Sequence, residues 1–295
     1  MYKPAGVLPA MVTPMHEDGR INEEALRAQV RRHQQSGVHG IFCLGTNGEF
    51  YALDEAEKIR VMEVVVEENA HRLPICAGVG CVTTAQTARL AERAQQIGVD
   101  ALSVITPYFG QVSQPALISH YRSIARSVDL PVILYNIPAR TGVSIAYQTV
   151  ETLAAVPNIV GIKDSSGHFD NTLRYLECTG RSWNVLAGND SLILSTLMAG
   201  GVGAIAATAN LFPHKVSQIY EQFKAGNLQK ATQIQDGLRA IRDCFQLGNP
   251  NTVIKHATNL LGYPVGPVRA PFGGDSATWT PAIEAVLDAH YRDWN

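Results

Sequence analysis

Eight short apolar runs, each followed by a segment with helical periodicity, limit the fold of this chain more than any other sequence feature. The predicted strands are Val7–Val12, Gly40–Leu44, Ile75–Val79, Ala101–Ile105, Val132–Tyr135, Ile159–Lys163, Val185–Ala187 and Ala204–Ala207. Most of these runs are apolar throughout, which is typical of strands buried on both faces of a parallel sheet. Eight strand-then-helix units predict an α/β fold that closes into a (β/α)8 TIM barrel.

The helical segments carry their own start and stop signals. Between the first strands the predicted helices are Asn22–Ser36, Asp54–Ala70, Thr84–Ile97 and Pro115–Val128. The first and third are followed by glycine, which commonly ends a helix, and the fourth has proline in its first turn. An open, doubly wound sheet is the alternative fold, but it would need a Gly-rich phosphate loop. Neither GxGxxG nor GxxxxGK[ST] occurs in the chain.

After the eighth strand the chain holds more helical segments than one unit needs. These segments are Phe212–Gly226, Gln229–Leu247, Asn251–Leu261 and Pro281–Tyr291. We therefore expect a barrel over residues 1–225 and a C-terminal helical region over residues 226–295 that packs on the barrel.

Composition and charge argue against two classes of partner. The net charge is −2, and the basic cluster Arg31–His33 is interpreted as the solvated face of a helix, so no nucleic-acid partner is expected. The uncharged stretch from Ser191 to Pro213 is long enough to suggest a membrane span. Glycines at positions 200, 201 and 203 divide it, however, into a buried helix and a buried strand. We therefore expect no membrane association.

Cysteine and histidine usage argues against a metal centre. The five cysteines include no CxxC pair, and the nine histidines include no HxH or HExxH pattern. Reduced thiols are the simplest interpretation, which favours a cytoplasmic location. We expect no metal and no cofactor.

The sixth predicted strand ends in a lysine. Alternation places Ile159, Gly161 and Lys163 on one face, and active sites of this fold lie at the carboxyl ends of the strands. If that face is the interior, desolvation favours the free amine, which can attack a ketone to form a Schiff base. Taken alone, a lysine at a strand end more often points into solvent, so both interpretations stay open.

Two more candidates lie at the end of the fifth predicted strand and on the loop after it. The Tyr135 hydroxyl could move protons to and from atoms reacting at an imine, although a structural tyrosine bonded to a backbone carbonyl is the alternative. Arg140 lies on a loop bounded by Pro138 and Gly142 and suits a substrate carboxylate, although a surface arginine explains it equally well.

The loop after the second strand reads Gly-Thr-Asn-Gly-Glu at positions 45–49. Backbone N–H groups in such a turn, together with the Thr46 hydroxyl and the Asn47 amide, could hold a carboxylate. An ordinary turn is the alternative, because glycine and asparagine are common in turns for steric reasons.

Taken together, these segments resemble the dihydrodipicolinate synthase / N-acetylneuraminate lyase family of class I, pyruvate-dependent aldolases. The resemblance extends over the whole chain. It is carried by residues 6–14 (GVLPAMVTP), 45–49 (GTNGE), 106–109 (TPYF), 135–138 (Tyr-Asn-x-Pro), 161–164 (GIKD) and the Gly-rich segment 200–210.

The resemblance implies a (β/α)8 barrel with a C-terminal helical region, assembled as a homotetramer that is a dimer of dimers. It implies that Lys163 forms the Schiff base and that Tyr135 relays protons. Thr46 would belong both to the relay and to the carboxylate loop. The substrate-binding positions that it implies are Asn47, Gly48, Arg140 and the backbone carbonyl of Ile205.

Three positions depart from the synthase members of that family. Asn47 replaces a threonine, and Phe109 replaces a tyrosine whose hydroxyl completes a relay across a subunit interface. The run Lys-Asp-Ser-Ser-Gly at 163–167 is similar to that of sugar-acid and hydroxy-oxo-acid aldolases instead. Arg140, in contrast, keeps the Arg-Thr-Gly loop that synthases use for the carboxylate of the aldehyde substrate.

We therefore expect a lyase that uses pyruvate in the aldol cleavage or condensation of a 4-hydroxy-2-oxo or 2-keto-3-deoxy acid. The alternative is 4-hydroxy-tetrahydrodipicolinate synthase, which joins pyruvate to aspartate semialdehyde in lysine biosynthesis. A catalytically silent paralogue that only binds 2-oxo acids is a third hypothesis. The expected partners are small molecules, namely pyruvate and an aldehyde or hydroxy-oxo acid.

Overall fold

Eight strands alternate with helices in the computed structural model, which describes residues 2–294. The strands are β1 (Gly6–Pro9), β2 (Ile41–Cys43), β3 (Ile75–Gly78), β4 (Ala101–Ile105), β5 (Val132–Asn136), β6 (Ile159–Asp164), β7 (Asn184–Ala187) and β8 (Gly203–Ala206). The helices up to the last strand are α1 (Glu23–Gln35), α2 (Glu55–Asn69), α3 (Thr84–Ile97), α4 (Gln114–Arg126), α5 (Pro138–Thr141), α6 (Tyr147–Leu153), α7 (Phe169–Cys178) and α8 (Ile193–Met198). The later helices are α9 (Pro213–Lys224), α10 (Leu228–Gly237), α11 (Arg239–Asp243), α12 (Pro250–Leu260) and α13 (Ser276–His290).

The strands form one sheet in the order β1-β8-β7-β6-β5-β4-β3-β2. The pairs from β3 to β8 are parallel. Each strand thus neighbours the next strand in the sequence, and β1 neighbours β8, which is the connectivity of a (β/α)8 TIM barrel. The predicted fold class is confirmed.

The chain divides into two compact units. The first unit comprises Met1–Gly6 and Pro74–Ile205, and the second comprises Val7–Leu73 and Ala206–Asn295. The first therefore carries β3 to β7 and most of β8, whereas the second carries β2, most of β1 and all helices from α9 onward.

Side-chain caps fix the start of several helices where the sequence predicts them. The side chains of Asn22, Thr83 and Ser113 each accept a hydrogen bond from a backbone N–H in the first turn of α1, α3 and α4. Helix α2 begins with a capping box, in which Asp54 and Glu57 each accept the other's backbone N–H. Such caps satisfy donors that have no partner within the helix.

Two helix predictions in the C-terminal region are wrong in detail. The single helix predicted over Gln229–Leu247 is broken into α10, α11 and a short 3₁₀ turn at Cys244–Gln246. Helix α13 begins at Ser276 rather than at Pro281, because the cap is the Asp275 side chain and the proline lies inside the helix. The charge-free stretch forms α8 and β8, as predicted, and no helix within residues 2–294 is long and apolar enough to cross a membrane.

The prediction that Arg31–His33 form a solvated helix face is wrong for His33. His33 is completely buried, neither ring nitrogen has a hydrogen-bond partner among the described residues, and burial lowers its pKa to about 3. Arg32 lies 3.4 Å from the ring centroid of Tyr263 and donates to the carbonyl oxygens of Asn210 and Leu211, both at 2.6 Å. Arg32 and His33 thus pack against other parts of the second unit, and only Arg31 is exposed.

Candidate active site

Lys163 and Tyr135 lie side by side at the ends of β6 and β5 in the first unit. They occupy matching positions in the parallel ladder, and the Lys163 Nζ atom lies 4.0 Å from the centroid of the Tyr135 ring. Both side chains are 4% exposed. The structure therefore selects the interior orientation for Lys163 over the solvent-facing alternative, and it brings the predicted amine and the predicted proton-transfer group together.

Glycine makes room for the lysine on the neighbouring strand end. A side-chain Cβ at Gly188, the residue after β7, would lie 2.9 Å from the Lys163 Cε atom and would clash with the Ser165 hydroxyl. The Ser165 hydroxyl is buried and has no hydrogen-bond partner among the described residues. A larger residue at position 188 would therefore displace the Lys163 side chain.

A buried carboxylate next to Lys163 holds the two strand ends together. Asp164 Oδ1 accepts hydrogen bonds from the Asn136 amide and the Ser166 backbone N–H, both at 3.0 Å, and Oδ2 accepts from the Thr172 hydroxyl at 3.0 Å and from the Ser166 hydroxyl at 3.1 Å. The Tyr175 hydroxyl donates to the carbonyl of Ile145 at 2.6 Å, and burial, followed by the charge of Asp164, raises its pKa. The network satisfies a charge that would otherwise be costly to bury.

The other candidates of the first unit lie after β4, after β5 and on β8. Arg140 lies in the short helix α5, directly after β5, and its side chain is exposed with no salt bridge to any residue in 2–294. Ile205 is buried in β8. Phe109 is fully exposed in the single chain and has a left-handed backbone (φ 76°), while neighbouring Tyr108 is half-buried.

The predicted carboxylate loop lies in the second unit, between β2 and α2. Thr46 and Asn47 are half-buried, and Gly48 is buried. A Cβ atom at Gly48 would lie 3.1 Å from the backbone oxygen of Met11, so a side chain there would require the neighbouring backbone to shift. The structure thus brings these three candidates together in one compact turn.

The loop ends in a buried ion pair that the sequence analysis missed. The side chains of Glu49 and Lys255 are 0% and 1% exposed, and Lys255 Nζ donates to Glu49 Oε1 at 2.7 Å. Burial lowers the Lys255 pKa below its usual value, and the charge of Glu49 partly offsets this effect. The other Glu49 oxygen accepts the backbone N–H of Arg269 at 2.8 Å. Lys255 and Arg269 carry no local signal, because each is separated from the loop by more than 200 residues.

The groupings expected of a metal centre do not occur in the described part of the chain. No cluster of three or more histidine, cysteine, aspartate or glutamate side chains that could hold an ion is present within residues 2–294. The five cysteines form no disulfide within residues 2–294.

Comparisons of the sequence and of the structure with known proteins find relatives in one family. A model of the dihydrodipicolinate synthetase family matches residues 3–290. A 4-hydroxy-tetrahydrodipicolinate synthase of Methanopyrus kandleri is 39% identical over 269 residues, which cover 90% of this chain and 89% of that protein.

Solved structures superpose on nearly the whole chain. Dihydrodipicolinate synthase from Aquifex aeolicus has a TM-score of 0.93 and 30% identity, with 97% of this chain and 98% of that chain covered. A prophage protein of E. coli K12, described as belonging to the dihydrodipicolinic acid synthase family and solved in complex with pyruvate, has a TM-score of 0.89 and 31% identity. The superposition covers 96% of this chain and 98% of the prophage protein.

The chain belongs to the dihydrodipicolinate synthase family. It is accordingly an enzyme of the carbon–carbon lyase and aldolase type. Of the hypotheses weighed on the sequence, the catalytically silent paralogue has the least support. Among the two catalytic hypotheses, the synthase is closer to the names of the relatives than the aldolase of 4-hydroxy-2-oxo or 2-keto-3-deoxy acids.

For a member of this family, the structure also explains what the motif Gly-Thr-Asn-Gly-Glu requires. Leu44, the residue before the motif, and Glu49, its last residue, have left-handed backbones with φ of 56° and 54°. Residues other than glycine adopt this conformation only where the surroundings impose it. The loop therefore keeps its shape through contacts with the rest of the second unit.

Proposed function

We propose that the protein joins pyruvate to an aldehyde that carries a carboxylate, as a 4-hydroxy-tetrahydrodipicolinate synthase does with aspartate semialdehyde. The observation that carries this proposal is the buried pair at the strand ends, with the Lys163 amine 4.0 Å from the ring centroid of Tyr135. The names of the curated relatives support the synthase reaction over aldol cleavage.

The chemistry begins at the Lys163 amine. The amine adds to the C2 carbonyl of pyruvate, water leaves, and a protonated imine forms. Loss of a proton from the methyl carbon gives an enamine, whose carbon attacks the aldehyde. Tyr135, whose ring lies against the Lys163 amine, carries protons to and from the reacting atoms through its hydroxyl. Hydrolysis of the new imine releases the product and restores the lysine.

The Gly45–Glu49 loop is proposed to bind the carboxylate of pyruvate. Thr46 and Asn47 are half-buried side chains on a tight turn that follows β2, and active sites of this fold are built from such strand-to-helix loops. Gly48 would let the backbone approach the ligand closely, and Thr46 would also take part in the proton relay. The carbonyl of Ile205, in β8, would face the substrate.

Arg140 is proposed to bind the carboxylate of the aldehyde. Its guanidinium is exposed, follows the same strand as Tyr135, and forms no salt bridge with another described residue. A guanidinium binds a carboxylate through two parallel hydrogen bonds. This feature favours an acidic acceptor over a neutral sugar aldehyde.

A specific residue keeps the aldolase as a second candidate. Phe109 stands where synthases of the family carry a tyrosine hydroxyl, and the run Lys163–Gly167 is similar to that of hydroxy-oxo-acid aldolases. The loss of one relay hydroxyl would slow condensation with aspartate semialdehyde. A panel of 4-hydroxy-2-oxoglutarate and 2-keto-3-deoxy acids would be cleaved instead, with release of pyruvate.

One assay separates the two candidates. Purified protein is given pyruvate with aspartate semialdehyde in one arm and the panel of hydroxy-oxo acids in the other. Rapid consumption of pyruvate in the first arm supports the synthase, and rapid release of pyruvate in the second identifies the aldolase and its substrate. Phe109→Tyr should raise the condensation rate if position 109 acts in the relay, and no gain would count against that role.

The assembly, the domain division and the location are proposed on the family resemblance and on the sequence. We propose a homotetramer, a barrel over residues 1–225 with an appended helical region over 226–295, and a cytoplasmic enzyme that needs no cofactor. Sedimentation analysis tests the first of these, since a monomer or a dimer at working concentration would contradict it.

A further inference from the structure

Helix α12, in the C-terminal region, contacts the Gly45–Glu49 loop near both ends of the loop. Asn251 lies in the first turn of α12, and its amide donates to the backbone oxygen of Thr46 at 3.0 Å and to the Tyr51 hydroxyl at 3.1 Å. Four residues later on the same face, Lys255 donates to Glu49 at 2.7 Å. Both side chains are buried.

These contacts decide which way the loop peptides point. The oxygen of Thr46 accepts both the Asn251 amide and the backbone N–H of Glu49, the latter at 3.1 Å. The C=O and N–H of one trans peptide point in opposite directions. The N–H of Asn47, which shares its peptide with the Thr46 oxygen, is therefore turned away from α12.

A second peptide of the loop is held from another side. The oxygen of Gly48 accepts the Thr13 hydroxyl at 2.7 Å. The left-handed backbones of Leu44 and Glu49 bracket the loop, and neither is intrinsically favoured. The loop therefore needs partners outside itself in order to present its N–H groups in one arrangement.

Both oxygens of the Glu49 carboxylate, at the end of the loop, accept hydrogen bonds from distant residues. Its two oxygens bind Lys255 and the backbone of Arg269, and Lys255 also donates to the oxygen of Pro267 at 2.6 Å. A carboxylate with 0% exposure that is satisfied on both oxygens is an anchor rather than a reacting group. The anchor ties the end of the loop to α12 and to the segment that follows it.

We propose that Asn251 and Lys255, two side chains of α12, are positioning residues that hold the Gly45–Glu49 loop in the shape that binds the pyruvate carboxylate. This inference rests on the proposed function of the loop. It assigns to the C-terminal region a role in affinity for pyruvate, in addition to any role in stability. In this proposal both residues act through the loop.

The test compares two asparagines of the same helix. Asn251→Leu removes the donor to Thr46 with little change in volume. Asn259→Leu, two turns further along α12, removes hydrogen bonds of similar number to Val265 and Gly266, which do not belong to the loop. For each variant, the pyruvate concentration that gives half-maximal trapping by borohydride is measured by mass spectrometry, together with the thermal midpoint, KM and kcat.

We expect Asn251→Leu to raise half-saturating pyruvate and KM by about tenfold, because a small misplacement of a binding group is costly, while kcat changes by less than about threefold. Asn259→Leu should lower the thermal midpoint by a similar amount and leave the pyruvate values unchanged. If Asn251→Leu does not fold, Asn251→Gln keeps the amide but moves it by one methylene, and the same shift in pyruvate values is expected.

Two outcomes would overturn the inference, and they are distinguishable. In the first, pyruvate is trapped on the wild type and on the Asn251 variant at the same pyruvate concentrations. Asn251 would then have a structural role only. Wild-type protein that traps no pyruvate would overturn the proposed function and this inference together.

Discussion

The strand-end pair and the carboxylate loop are built in different ways. Lys163 and Tyr135 are placed by the register of two adjacent strands, so their position follows from nearby backbone hydrogen bonds. The Gly45–Glu49 loop is shaped by partners that lie 205 and 206 residues away in the chain, Asn251 and Lys255. Regular secondary structure thus positions the proposed reacting groups, whereas long-range side-chain contacts position the proposed binding loop.

This difference predicts different responses to mutation. Changes at the strand ends should abolish chemistry or remove local stability. Changes around the loop should alter affinity or the pH dependence of stability and leave the chemical step largely intact. The four predictions that follow test this contrast, beginning with the largest expected effect.

Lys163→Ala should abolish both turnover and the borohydride-trapped adduct with pyruvate, because no amine remains to form the imine. Mass spectrometry of the reduced protein measures the adduct. The exposed Lys230→Ala serves as control and should trap pyruvate like the wild type. An adduct that persists in Lys163→Ala would assign the Schiff base to another lysine.

Tyr135→Phe should lower kcat by about 10²-fold or more, the usual loss when a positioned proton-transfer group is removed. Imine formation with pyruvate should survive, so trapping separates this variant from Lys163→Ala. Tyr175→Phe removes a buried hydroxyl that bonds Ile145 and Asn136, and should reduce stability with kcat retained. Equal losses of kcat in the two tyrosine variants would mean that Tyr135 is structural.

Asp164→Ala should lower the free energy of unfolding by about 3 kcal/mol, because it leaves buried donors of Asn136 and Thr172 without their acceptor. Urea denaturation measures the loss. Asp129→Ala, at an exposed position, should cost less than about 0.5 kcal/mol. A similar small loss at Asp164 would show that the strand ends do not depend on this network.

The smallest expected effect is the loss of stability in acid that comes from the Arg269–Glu57 ion pair, next to the loop. Arg269, whose backbone binds Glu49, donates from its side chain to both oxygens of Glu57, at 2.6 and 2.7 Å. This interaction with Arg269, with a further contribution from the backbone N–H of Asp54, lowers the Glu57 pKa below 4.5, although partial burial opposes the shift. Because the folded-state pKa lies below the unfolded one, the stabilisation is complete above pH 4.5 and is lost as pH falls through the folded value.

Glu57→Gln should therefore be less stable than the wild type by about 1 kcal/mol near neutral pH, with the difference vanishing in acid. Urea denaturation at a series of pH values measures this difference. Glu17→Gln, a carboxylate outside this interaction, is the control and should show no such step. A difference that stays constant with pH would mean that Glu57 acts through packing or capping alone.

Much of the fold was predictable because its signals are local. Strand β4 and helix α3 have the predicted bounds, and the other strands differ from prediction by a few residues at most. The start of α13 was missed because Pro281 is a common signal for the first turn of a helix, whereas here the Asp275 cap lies upstream. His33 was misassigned because a single basic cluster does not reveal which of its members packs inward.

The sequence by itself determined the alternation of strands and helices, the family to which the chain belongs, and the candidates Lys163, Tyr135 and Gly45–Glu49. These depend on periodicity and on short motifs, which are local properties of the chain. Only the tertiary structure decided that Lys163 is buried against Tyr135, and that Asn251 and Lys255 hold the loop. Burial and contacts between residues more than 200 positions apart arise from the path of the folded backbone, and a local pattern carries no record of that path.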